Sequence, residues 1–323
     1  DPLGYPDGPD AYQYALGDPV NKVDPLGLYS IEVHFYMTFF LARIAGIGEE
    51  EALTIALATQ FIDHNPATAP IPALAWRLLS PTAIEDHNNR LRLYHFMEGL
   101  TNSSSSLDGR THNPQSAQLT NLRSASTRAP TPCARAQLFG EFLHAFEDTF
   151  SHRDQNNMPI GLNIGQVVPG VAAGHILYGT SPDRTFDHSS IFSPLALQRG
   201  VWFNNESRTL RMEQEVFAQL SSYSGRAFLH STTGRPIENS ETGLALTYQD
   251  LFDDRLSTGG GWLVQWNRLQ STDEQIFFLE EKIRVLGLGA LPLYSVRDAA
   301  ERRNRFLCSL RQADYPGTIL PVC

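Results

Sequence analysis

Ala134 to Asp154 reads ARAQLFGEFLHAFEDTFSHRD, and this stretch decides how the rest of the chain is read. Leu138, Phe142, Phe146 and Phe150 recur at every fourth position, the mark of a helix with a continuous apolar face. His144, Asp148 and His152 follow one another at i, i+4 and i+8, which keeps all three on one lateral face of the same helix. A polar stripe on a helix buried on most sides must be paired, hydrogen-bonded or metallated. A single His on an apolar face is most often a satisfied core histidine. A His-x3-Asp-x3-His stripe, in a chain with more His and Asp elsewhere, points instead to a metal.

The totals bound the rest. At 323 residues with 41% hydrophobic content, the chain can bury the core of one large domain or two modest ones. Its net charge of −10, from 25 basic and 35 acidic residues, argues against a broad nucleic-acid surface and against attraction to anionic membranes. A small site could still accept a phosphate, because bound cations invert the local field. Cys133, Cys308 and Cys323 have neither zinc-site spacing nor a disulfide framework, although Cys308 and Cys323 could bridge. The first residues carry no basic region followed by an apolar run, and no apolar stretch reaches the roughly 18 residues a membrane span needs. Export, if it occurs, is expected to use something other than a cleaved signal peptide.

Residues 1–28, DPLGYPDGPDAYQYALGDPVNKVDPLGL, are rich in Pro, Gly, Asp and Tyr and lack helical periodicity, so turns and short strands are expected. The tetrapeptide DPLG occurs twice, beginning at Asp1 and at Asp24. The segment resembles the end of the Rhs/YD-repeat shell of polymorphic toxins, where a paired DPxG signature ending in Leu marks self-cleavage. The resemblance implies an aspartyl autoprotease pair, Asp1 and Asp24, and a cut after Leu28. Two adjacent carboxylates cannot both ionise cheaply, so they divide into acid and base. It further implies type VI delivery into a target cell, an enclosing Rhs shell and a cognate immunity protein.

After Leu28 the character changes, which places a domain boundary there. Ser30 can cap a helix with Ile31, Phe35, Phe39 and Ala42 at helical spacing, carrying His34 and ending near Gly46. A second helix runs from Glu49 to Ile62, led by three glutamates that suit its N-terminus, and finishes at Asp63 and His64. Pro66 to Pro72 breaks the pattern, and a third helix from Ala83 to Leu100 carries His87 and His95. Residues 102–118 read as an exposed loop containing His112, and residues 155–170 as an irregular connection. A short buried helix is expected around His175, followed by a loop offering Asp183, Asp187 and His188. Thr209 to Leu220, Thr272 to Leu286 and Val296 to Gln312 are amphipathic helices, strand signals are sparse, and His230 reads as structural.

Collected, the candidate ligands are His34, Asp63, His95, His144, Asp148, His152, His175 and Asp183. Imidazole and carboxylate without thiolate suit catalytic zinc, with manganese or iron as alternatives. Facing helices of a bundle can project such ligands inward, and eight exceed one tetrahedral ion, so two or three ions are expected with Asp148 bridging. On an all-helical scaffold this order of His and Asp resembles the zinc-dependent phospholipase C family and the related single-strand nucleases. HFYMTFFLARIAG and FLHAFEDTFSHR carry most of that resemblance, which spans residues 29–190. His144 and Asp148 match best, then His34 and Asp63, then His95, with His87 as competitor. Two positions depart: the family's next His would fall on Asp154, with His152 nearby, and its last acid on Gly179, leaving Asp183 or Asp187 to serve.

The expected architecture is therefore a mainly α, multi-helix bundle with a multinuclear metal site in its core, preceded by a short β/turn-rich Rhs tail. The parts are residues 1–28, the metal-dependent domain 29–190, and a helical extension 191–323. The resemblance implies a secreted, zinc-dependent phosphodiester hydrolase, phospholipase C-like, with Asp63 doubling as ligand and proton acceptor. It also implies that cleavage frees the amine of Tyr29 as a further ligand. Phe35, Phe39, Trp76, Phe146 and Phe150 are core residues or the lining of an acyl or base pocket. A nuclease of the same fold is the alternative, and a non-enzymatic membrane-acting or binding toxin stands as a third reading.

Overall fold

Two helices, α2 (Glu49–His64) and α5 (Pro132–Ser151), carry the centre of the fold. The computed structural model describes residues 31–69, 81–95, 116–151, 183–190, 201–225, 237–238, 245–255 and 259–313. The expectations for residues 1–28, Tyr29, Trp76, His112, His152, His175 and His230 lie outside these residues.

The described residues are mainly helical, as the periodicity predicts. A π-helical segment, Glu32–Met37, leads into α1 (Thr38–Ile44), which ends at Gly46, a residue at φ 81° that an L side chain would strain. After α2 come α3 (Pro81–Arg90), a π turn at Leu91–His95, and α4 (Ala117–Thr127) ahead of α5. The second half holds α6 (Asn205–Ser224), α7 (Tyr248–Phe252), α8 (Trp262–Asn267), α9 (Thr272–Val285) and α10 (Val296–Ala313). Two short antiparallel pairs complete the described residues. β1 (His188–Ser190) pairs β2 (Val201–Phe203) with His188 opposite Phe203, and β3 (Ile237–Glu238) pairs β4 (Ala245–Leu246).

Two local expectations are corrected. The regular helix expected from Ser30 is a π segment before it becomes α-helical, and apolar spacing cannot distinguish the two. The end of the expected 102–118 loop is already helix: the Ser116 hydroxyl accepts from the Leu119 amide and starts α4. Cys133 is disulfide-bonded, while Cys323, and with it the expected option of a Cys308–Cys323 bridge, lies outside the described residues.

One apolar core runs through both halves, from Val33, Phe35 and Phe39 through Phe139, Phe142 and Phe146 to Val216, Phe217, Leu263, Trp266 and Ile283. Phe142, Phe146 and Phe150 meet ring to ring at 5.6 Å along α5. Phe35, Phe39, Phe146 and Phe150 are all core residues.

The α2–α5 contact is closest at Gly140. A β-carbon there would sit 2.4 Å from the Ile55 carbonyl oxygen and 2.6 Å from the Ala58 β-carbon. The Thr59 hydroxyl bridges the seam, within 2.9 Å of the Ile55 carbonyl and 3.2 Å of the Gly140 carbonyl. One turn further along each helix lie Asp63 and His144.

Two predictions follow from this packing. Gly140→Ala forces backbone, not a flexible side chain, to move, so it should lower stability by roughly 1–3 kcal/mol, read as a lower melting temperature. The second concerns Glu213 on α6, fully buried, whose Oε2 accepts from Asn267 Nδ2 at 3.0 Å. Burial raises this carboxyl well above its usual range, the Asn267 hydrogen bond only partly offsetting it. The folded state then holds a proton that the unfolded chain releases above the ordinary carboxyl value, so this contribution is lost as pH rises through the folded pKa. Glu213→Gln should melt above the parent protein at pH 8, with the difference closing toward pH 4.

Candidate metal centre

Five of the eight sequence-derived ligands converge. His34 comes from the first π segment, Asp63 from the end of α2, His95 from the second π turn, and His144 and Asp148 from α5. They form two overlapping groups with metal-ligating spacing, His34–Asp63–His144 and His95–His144–Asp148. Both π segments supply a ligand, which fits the local role of an extra residue in a helical turn: it re-aims a side chain without ending the helix.

His144 Nε2 lies 3.1 Å from His95 Nδ1, 3.4 Å from Asp148 Oδ2 and 3.5 Å from Asp63 Oδ1. His95 Nδ1 lies 3.2 Å from Asp148 Oδ2 and 3.8 Å from Asp63 Oδ1. A tetrahedral ion with ligand bonds of about 2.0–2.1 Å spaces its donors roughly 3.3 Å apart, so these four atoms stand where such donors stand. Asp148 turns its other oxygen, Oδ1, to within 3.3 Å of His34 Nε2. The His34 and His144 rings lie 4.3 Å apart, centroid to centroid.

The surroundings fix which nitrogen of each ring faces inward. His95 Nε2 is 3.2 Å from the Thr68 carbonyl, which can only accept, so that nitrogen carries the hydrogen and Nδ1 presents its lone pair. His34 Nδ1 is 2.6 Å from Glu147 Oε2, and the other Glu147 oxygen accepts from the Thr38 hydroxyl at 2.9 Å. With the shared proton on Nδ1, His34 presents Nε2. A carboxylate behind the distal nitrogen of an imidazole is the arrangement that orients metal-binding histidines. Gln60 Nε2 donates to Asp63 Oδ2 at 3.1 Å.

Electrostatics favour a cation among these atoms. Burial holds His95 neutral, lowering its pKa to about 4 against the pull of the Thr68 carbonyl. Burial also raises Asp148 to about 6, opposed by His34 and reinforced by the Glu147 charge. Glu147 itself is pushed well above the usual carboxylate range by burial, its Thr38 hydrogen bond pulling the other way. A bare imidazole lone pair 3.2 Å from a carboxylate oxygen is repulsive until a proton or a metal ion lies between them. The donor set is nitrogen and oxygen only, which suits zinc or manganese.

Of the other sequence-derived candidates, His152 and His175 lie outside the described residues. Asp183 is buried but belongs to neither ligand group, and the same holds for His87 on α3. Asp187 Oδ1 accepts from the Glu206 amide at 2.9 Å, in the first turn of α6. Of the residues the sequence reading passed over, Glu147 matters most. Its signal was present: three positions after His144 on a strongly apolar helix, it shares the ligand face. Thr68 offered no signal, since it acts through its backbone carbonyl.

Elemental analysis of protein purified without chelator should find zinc. Glu147→Gln should weaken zinc binding by about 10- to 100-fold, the range for losing the partner of a ligating histidine. Metal and protons compete for Asp148, so affinity should be retained above pH 6 and fall progressively below it, measured by competition with a chromogenic chelator.

No curated protein matches the chain, and no solved structure does. Residues 30–284 match a family described as a family of unknown function, DUF6765. The match covers more than half of the chain, and the protein therefore belongs to the DUF6765 family.

Proposed function

We propose that this chain is a metal-dependent hydrolase of phosphodiester bonds with phospholipid as its preferred substrate, delivered as the effector domain of a toxin. The observation that carries the enzyme reading is the convergence of His34, Asp63, His95, His144 and Asp148, with His34 and His95 each held from behind so that a lone pair faces inward. Histidine and aspartate placed this way would hold divalent ions, zinc first. Such ions supply Lewis acidity and bring the pKa of coordinated water toward ~7.

An imidazole nitrogen serves one ion, so the shared His144 belongs to one of the two groups. The two Asp148 oxygens point to different partners, Oδ2 to His95 and His144, Oδ1 to His34, which supports a bridged two-ion centre. Asp63, with its side chain 6% exposed while those of His34, His95, His144 and Asp148 are fully buried, stands at the solvent side of the cluster. It is the group placed to take the proton as water attacks phosphorus, the phosphorus–oxygen ester bond breaks and the leaving oxygen is protonated. Glu147, Thr68 and Gln60 keep the reacting side chains in register meanwhile.

The toxin part of the reading rests on DPLG…DPLGL at residues 1–28, with Asp1 and Asp24 as the self-cleaving pair. Two facts support it: the family match begins at residue 30, just past the expected cut after Leu28, and the Cys133 disulfide suits an oxidising compartment. In this reading the freed Tyr29 amine, five residues before His34, joins the ligands. The Rhs shell, an immunity protein and type VI delivery complete the proposal. Among the described residues no helix is long and apolar enough to cross a membrane. The nuclease alternative is weakened by the net charge of −10, since single strands normally bind a basic groove.

Incubating the zinc-loaded protein with mixed phospholipid vesicles and with single-stranded DNA separates the two substrates, and released head groups are the expected product. His144→Ala and Asp148→Ala should each lose more than about a hundredfold in rate, beyond what an orienting partner contributes. Full activity in both variants, or a chain that binds no divalent metal, would overturn the enzyme reading.

A further inference from the structure

The segment joining α9 to α10, residues 286–295, reads LGLGALPLYS and carries no charged side chain. It lies beyond the family match, which ends at residue 284. Arg43 nevertheless ties it to the site-bearing half of the fold: its guanidinium donates to the Ile47 carbonyl at 2.7 Å and to the Leu288 carbonyl at 3.1 Å. Gly289, at φ 96°, passes so close to α2 that a β-carbon would lie 3.2 Å from Glu49 Oε2. Beyond the segment, Arg302 fastens α10 to α2 through Thr54 Oγ1 at 2.8 Å and Glu50 Oε2 at 3.0 Å.

This anchoring sets Tyr294 beside the metal centre. Its ring lies 5.2 Å from Phe35, the neighbour of His34, and 5.4 Å from His64, the neighbour of Asp63. Its hydroxyl is 3.0 Å from His64 Nδ1 and within the field of the Asp63 carboxylate. His64 Nδ1 is also 3.4 Å from the Gln60 carbonyl, an obligate acceptor, so that nitrogen carries a hydrogen. With its hydrogen on Nδ1, His64 can share it between the carbonyl and the nearer phenol oxygen, which leaves the phenol's own hydrogen to be donated. Asp63 is the one ligand with solvent exposure, and Tyr294 stands on its side of the cluster.

Resting on the phosphodiesterase reading above, we infer that Tyr294 is a substrate-contacting residue of the metal site, its phenol donating a hydrogen bond to a non-bridging phosphoryl oxygen. His64 is then a positioning residue that turns the phenol. The site wall is completed by a segment outside the family match, and the ligand class it recognises is the singly or doubly charged phosphoryl group.

The test uses the full zinc-loaded chain with two probes, inorganic phosphate followed by calorimetry and bis(p-nitrophenyl) phosphate followed by absorbance. Tyr294→Phe, which removes one oxygen, should keep its zinc content and melting temperature. Its phosphate affinity and turnover should each fall about tenfold or more, as for a lost hydrogen bond to a charged group. His64→Ala should show a smaller loss, and His64→Asn, whose amide reproduces the Nδ1 donor, should recover it. If the parent protein binds phosphate and hydrolyses the diester while Tyr294→Phe matches it in both, this inference alone is overturned. If the zinc-loaded parent neither binds phosphate nor hydrolyses the diester, the function reading falls and this inference falls with it.

Discussion

The close approach of α2 and α5 at Gly140 is the constraint on which the rest of the site depends. Backbone meets backbone there with no side chain between, and the Thr59 hydroxyl fills the remaining polar need of the seam. Since both helices advance by one turn from that contact to Asp63 and His144, the 3.5 Å separation of those two side chains follows from the seam and not from either residue. A wider crossing would leave Asp63 in solvent and His144 facing an apolar wall. His34 and His95 are then brought in by π-helical turns, where regular helix would have aimed them elsewhere.

The cost of gathering these groups explains why metal fits them better than protons do. Three imidazoles and two carboxylates, Asp148 and Glu147, are fully enclosed. Burial alone pushes the carboxyls toward their neutral form and His95 toward its neutral form as well. In a neutral cluster His95 Nδ1 can only accept, because the Thr68 carbonyl already claims the one hydrogen that neutral His95 carries, so His144 and Asp148 must compete to donate to that nitrogen at 3.1–3.2 Å. Divalent charge removes that conflict in one step, and the same ion compensates the desolvated carboxylates. Folding and metal binding would thereby be linked: whatever stabilises the seam at Gly140 also preorganises the candidate ligands, and an ion held among them would stabilise the seam.

How much of this was legible in the sequence depended on what each residue does with its side chain. Helical spacing in α5 gave His144 and Asp148 directly, since one helix holds both in a single register. The boundaries of α2, α9 and α10 were also near, because each has charged or polar ends, whereas α6 runs four residues past its expected bounds at each end. The convergence of His34, Asp63 and His95 needed tertiary geometry, and only a resemblance of ordering suggested it. Glu147 sits beside the ligands on α5, but its partner His34 comes from 113 residues earlier in the chain, and only tertiary geometry joins them. Thr68 and the π turns were illegible in principle: a backbone carbonyl has no residue signature, and one extra residue in a turn leaves the apolar period almost unchanged. Asp183 is buried, but the His152 and His175 expected to join it lie outside the described residues, so its role as a ligand rests on the order of residues alone.

The expected division of the chain at residue 190 has no counterpart in the packing of the described residues. Phe217 and Val216 of α6, Trp266 of α8 and Ile283 of α9 share one core with Phe39 and Phe146, and the family match crosses the division without a break. α6 lies against both α5 and α1, so residues beyond 190 support the ligand-bearing helix from behind. The same half returns at the front of the site, where Tyr294 meets His64 and Arg303 reaches Glu141 on α5 at 3.7 Å. A ligand cluster assembled from the first half of the chain is thus held in place on two sides by the second. This is why the helices after residue 190, which carry none of the convergent ligands, belong to the same packed unit as the candidate metal centre and not to an appendage of it.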